Sequence, residues 1–150
     1  MPVIVVVAHA PLASALLAVA QHVYPDCARQ LAAVDVGPGA TPEGVAADIR
    51  AARAAYPEGE TLILTDMFGA TPCNGARGLA DGTTVRVVAG VSVPMLWRTL
   101  CYGSLPLPDL VQRALDGGTQ GVMHVPPEAR RQNQSNPPGG HEQNNDPHQQ

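Results

Sequence analysis

From Val3 to Ala8 every position is apolar, and the run ends abruptly at His9-Ala10-Pro11. A short unbroken run rich in valine predicts a central parallel strand covered on both faces. Leu12, Leu16, Val19 and Val23 follow at helical spacing and predict the buried face of a first helix. Pro11 stands where a first helical turn tolerates a residue without an N–H. Leu31 to Val36 predicts a second strand, ended by Gly37-Pro38-Gly39. The next helix has a full start signal: Thr41 as N-cap, Pro42 at the first position and Glu43 near the positive end of the dipole. Val45, Ile49 and Ala52 mark its buried face, and Tyr56-Pro57 closes it.

Thr61 to Thr65 predicts a third strand. Thr71-Pro72 repeats the cap-and-proline signal, with Thr71 as N-cap of a helix reaching about Leu79. Thr84 to Ala89 predicts the fourth strand. Ser92-Val93-Pro94 and Leu107-Pro108-Asp109 open two more helices, the last stopping at Gly117-Gly118. Val122 to Val125 is the candidate for a final, antiparallel edge strand. No internal repeat interrupts this order. Strands alternating with helices predict an α/β fold, a three-layer sandwich with a mainly parallel central sheet.

The pattern stops after Val125. From Pro126 to Gln150 the one ordinary apolar side chain is Ala129, and such a segment buries too little apolar surface to offset the entropy of ordering it. The expectation is a folded domain over 1–125 and a disordered polar tail over 126–150. A chain ended after Val125 should therefore melt at the temperature of the full chain, and loss of cooperative unfolding on truncation would contradict the division.

Composition narrows the function classes. Aromatics are 3% of the 150 residues, so the core must be built mainly from Val, Leu, Ile and Ala. The net charge is −4 and the nine basic residues, all arginine, are scattered, which gives no phosphate-tracking stripe for nucleic acid. No apolar run approaches the roughly 20 residues needed to cross a bilayer, and the start lacks the basic region of a signal peptide. Cys27, Cys73 and Cys101 lie far apart without a Cys-x-x-Cys pair, which reads as reduced, small core residues and a cytoplasmic address rather than a disulfide framework or zinc site. No cofactor motif is present: no Gly-x-Gly-x-x-Gly follows the first strand, and a chain without lysine has no Walker lysine.

In parallel sheets, ligands sit beyond the carboxyl ends of strands where the strand order reverses. Three strand exits carry polar groups: His9 after the first, Asp66 through Pro72 after the third, and Gly90-Val91-Ser92 after the fourth. If the first and third strands are neighbours, His9 and Asp66 meet. An imidazole is nucleophilic through the ring nitrogen that lacks the proton, and a carboxylate on the other nitrogen fixes the tautomer and stabilises the developing charge. Gly69-Ala70-Thr71-Pro72 leads into a helix start whose N–H groups, with the Thr71 hydroxyl, suit a phosphoryl dianion. The plainer reading of each residue stays open: a loop histidine, a turn-forming aspartate, a simple N-cap. His9 with Asp66 supplies at most two metal ligands, and His141 and His148 lie in the tail, so no metal is expected.

Val5-Val6-Val7-Ala8-His9-Ala10-Pro11-Leu12-Ala13, Leu64-Thr65-Asp66-Met67-Phe68-Gly69-Ala70-Thr71-Pro72-Cys73-Asn74 and Val88-Ala89-Gly90-Val91-Ser92-Val93-Pro94-Met95-Leu96 together carry a resemblance. They resemble the IIA domain of the mannose family of the bacterial sugar phosphotransferase system, over essentially residues 1–125. The third motif is the most specific. The resemblance implies that His9 accepts a phosphoryl group from phosphohistidine on the carrier protein HPr. It implies further that Asp66 orients the imidazole, and that Thr71, with Gly69 and Ala70, helps bind the phosphoryl group. A homodimer is implied too, in which C-terminal strands are exchanged; Val122 to Val125 would be that strand.

This chain departs from the family pattern in having Ala10 and Ala70 at positions that are often glycine, which restricts positive φ in the cradle. No IIB domain follows, so the implied acceptor is a separate IIB protein. A second implied role is a regulatory module, in which the phosphorylated histidine controls a partner instead of feeding sugar uptake. A third is the IIA-like subunit serving dihydroxyacetone phosphorylation, whose histidine segment is similar but for which Gly69-Ala70-Thr71-Pro72 is not expected.

Overall fold

In the computed structural model, which describes residues 1–129, the strands are Val3–His9 (β1), Leu31–Val36 (β2), Thr61–Thr65 (β3) and Val85–Ala89 (β4). They pair in parallel in the order β2-β1-β3-β4. The helices are Leu12–Val23 (α1), Pro42–Arg53 (α2), Thr71–Arg77 (α3), Val93–Cys101 (α4) and Leu107–Gln120 (α5), with a 3₁₀ turn at Cys27–Gln30. Alternate side chains of the strands feed two cores. Ile4, Val6, Ala8, Leu62 and Leu64 pack under α1, α4 and α5, while Val3, Val5, Val7, Val34 and Ile63 pack against α2 and α3. The result is a three-layer α/β sandwich. Each valine of β1 that loses all contact with water contributes about 1.5–3 kcal/mol of apolar burial, which anchors the strand carrying His9.

Several helix expectations change. On α1 the buried positions are Ala13, Leu16 and Ala20, whereas Leu12, Val19 and Val23 face outward. α1 is apolar almost all round, so periodicity alone does not orient it; the small alanines allow close approach to the sheet. Thr71 is not an N-cap: Ala70 holds that position, no side chain closes the turn, and α3 ends at Arg77. Thr41 and Ser92 do cap α2 and α4, accepting the N–H of Gly44 and of Met95. Val122 to Val125 forms no strand in the single chain; its apolar side chains are exposed beyond the end of α5. Cys73 is buried, but Cys27 and Cys101 are exposed, because they lie at the ends of short surface helices. Residues 126–129 are exposed without helix or strand, and the rest of the expected tail lies outside the described residues.

Gly117-Gly118 does not stop the last helix either, because these glycines serve packing. A Cβ on Gly117 would come within 2.7 Å of the Arg98 Cβ and 3.0 Å of the Pro94 carbonyl oxygen, so its absence lets α5 approach α4 closely. Gly117→Ala should cost about 1–3 kcal/mol by overpacking, in spite of alanine's better helix propensity. A thermal or urea melt checks it, and an unchanged or raised midpoint would show that the two helices part easily.

Candidate functional site

β1 is paired to β2 on one side and β3 on the other, so the strand order reverses between β1 and β3. His9 is the last residue of β1, and Asp66 follows the last residue of β3. The structure brings the two into direct contact. The Asp66 Oδ2 lies 2.7 Å from His9 Nδ1 and accepts the His9 backbone N–H at 2.9 Å. Its Oδ1 accepts the Met67 N–H at 2.8 Å. Desolvation of the Asp66 side chain raises its pKa, but these bonds from His9 and Met67 outweigh it and hold the carboxyl below its ordinary value. An ionised carboxylate only accepts, so Nδ1 carries the proton, and in the neutral ring the lone pair lies on Nε2.

The His9 side chain is 57% exposed and that of Asp66 14%. A held carboxylate thus orients an imidazole that is itself more than half exposed. A cavity of about 550 Å³ opens beside β4 between Phe68, Arg77, Arg86 and Val111, and His9 does not line it. The imidazole sits on an exposed edge of the sheet that another macromolecule can approach.

Gly69, Ala70 and Thr71 occupy the same sheet edge, on the loop from Asp66 into α3. The Asn74 side chain ties this loop by donating to the Gly69 carbonyl at 3.2 Å. Gly69 has φ +87°, a conformation that favours glycine, while Ala70 is extended at φ −86°. No described residue other than glycine takes positive φ, so alanine at 10 and at 70 is compatible with this backbone. Gly90, also at positive φ, donates its N–H to the Asp66 carbonyl and so ties the β4 exit to the β3 exit. Met67 and Phe68, both exposed, flank Asp66, and Arg77 stacks over the Phe68 ring at 5.4 Å. Among the described residues no group of three or more His, Cys, Asp or Glu converges as a metal site, and no helix is long and apolar enough to cross a membrane.

One acidic residue at this edge escaped the sequence pattern. Asp35, on β2, pairs with Ser14 on α1. The available signal was a single carboxylate in an otherwise apolar strand.

Fold and family matches define the chain as a IIA component with a phosphotransfer role in a sugar phosphotransferase system. It belongs to the family of the fructose IIA component of that system (PTS), whose family model matches residues 3–105. No curated protein matches the chain. Among solved structures it is similar to the mannose/sorbose-specific IIA subunit from Enterococcus faecalis, with a TM-score of 0.75 and 25% identity over 86% of this chain and 98% of that one. The EIIA component from Streptococcus agalactiae superposes with a TM-score of 0.73 at 20% identity, covering 83% of this chain and 97% of that one. A IIA protein associated with the fucose utilization operon of Streptococcus pneumoniae gives 0.65 at 20% identity, with 82% and 92% covered.

Proposed function

We propose that His9 is the phosphoryl acceptor, taking the group from phosphohistidine on HPr and passing it to a separate IIB protein in the cytoplasm. The observation that carries this reading is the Nδ1–Asp66 contact of 2.7 Å on an imidazole whose side chain is 57% exposed. In the forward step the Nε2 lone pair forms the new N–P bond as the bond from phosphorus to the donor's ring nitrogen breaks. The proton on Nδ1 stays in its hydrogen bond, and Asp66 stabilises the imidazolium so formed. Gly69, Ala70 and Thr71 serve as the phosphoryl cradle: the Thr71 hydroxyl is not spent on capping α3, and backbone N–H groups open the turn beside it.

Incubation with phosphoenolpyruvate, Enzyme I and HPr, followed by mapping of acid-labile phosphate, tests the reading. The expected product carries one phosphoryl group on His9 Nε2; phosphate on another residue, or none, would overturn it. The same reading includes a homodimer: β4 has one unpaired edge, and Val122, Met123 and Val125 stand exposed and outside any strand among the described residues.

A further inference from the structure

α1 starts three residues after His9 and has no cap of its own: its N-cap is Pro11, and no side chain within the helix closes the first turn. The cap comes from the neighbouring strand. Asp35 accepts the Ser14 N–H through Oδ1 at 3.0 Å and the Ser14 hydroxyl through Oδ2. That hydroxyl also lies 3.1 Å from the Pro11 carbonyl, and the Ala10 N–H donates to the Val36 carbonyl at 2.9 Å. The Ser14 hydroxyl and N–H keep the Asp35 carboxyl below its ordinary range. The exit of β1 is therefore gripped from both sides, by Asp66 after β3 on His9 itself and by Asp35 of β2 on the helix that follows. Only Ala10 and Pro11 separate His9 from α1, too short a link to absorb a shift of that first turn.

We propose that Asp35 is a positioning residue for phosphoryl transfer: it caps α1 from the adjacent strand and so sets the angle at which His9 presents Nε2. The proposal rests on His9 being the acceptor. Near-attack geometry is steep in distance, and a misplacement of about 1 Å costs up to about a hundredfold in rate.

The test uses the full chain with Asp35→Ala and Asp35→Asn, measuring kcat and KM for phospho-HPr and the nitrogen NMR pattern of the His9 ring. Asp35→Ala should lower kcat about tenfold with little change in KM, and blur the ring from one tautomer towards a mixture. Asp35→Asn should recover part of the rate, because its amide oxygen still accepts the Ser14 N–H. A lower melting temperature with unchanged kcat and ring pattern would mean a purely structural cap, and overturns the proposal. If the unaltered chain takes no phosphate, the acceptor reading fails and this proposal falls with it; uptake by the unaltered chain with kcat and ring pattern unchanged in Asp35→Ala overturns this proposal alone. Should Asp35→Ala not fold, Ser14→Ala loses only the hydroxyl bond; it should shift kcat and ring pattern the same way, and no shift in either overturns the proposal.

Discussion

Replacing His9 by alanine is expected to abolish acid-labile phosphate uptake from phospho-HPr while leaving the fold intact. The loss should be complete, because among the described residues no other histidine pairs with a carboxylate at this edge; His22 lies on the exposed face of α1 and His124 beyond α5. Little stability should go with it. The side chain is largely solvated, and the backbone N–H of residue 9 still serves the Asp66 carboxylate. The removed contact involves one charged acceptor, which sets the cost at about 1–2 kcal/mol, less than the burial that the valines of β1 contribute. Label transfer followed by peptide mapping, with a thermal melt alongside, reads both halves. Label persisting on His9→Ala would place the acceptor elsewhere, and a collapsed melt would make His9 a structural residue.

The strands were legible because each is a short apolar run with its own punctuation, and those boundaries hold to within a residue: β1 extends one residue further to include His9, and β4 begins at Val85. The start of β4 has a local cause. Asp81 accepts the N–H groups of Thr83, Thr84 and Val85 and the Thr84 hydroxyl, bonds that depress its pKa strongly and spend donors the strand would otherwise use. Helix orientation was less legible. α1 offers apolar residues on every face, and only contact with the sheet selects Ala13, Leu16 and Ala20. The glycines of α5 look like a stop signal in one dimension and are an interhelical contact in three. At the site, His9 and Asp66 follow from two strand exits and a topology rule, since both are fixed by strands. Asp35 does not, because a cap supplied by another strand leaves no spacing signature near the helix it caps.

Asp66→Asn separates the orienting role from mere packing. The amide is nearly isosteric, yet it carries no charge and its NH₂ can donate to Nδ1, which turns the imidazole to the tautomer with a proton on Nε2. That proton occupies the lone pair needed for attack, and the imidazolium loses its counter-charge. By analogy with other histidines oriented by carboxylates, the rate of phosphoryl acceptance should fall on the order of 10³-fold, with KM changed far less. Stability should respond in a pH-dependent way. The folded-state pKa of Asp66 is lowered, so its contribution is fully present above the unfolded carboxyl value and is lost as pH falls through the folded one. The parent should therefore melt above Asp66→Asn at neutral pH, and the gap should close in acid. Stopped-flow transfer rates and melts across that range measure the two effects separately. A variant that transfers phosphate at the parent rate would show that the 2.7 Å contact is only a turn-forming bond, and that His9 selects its tautomer without help.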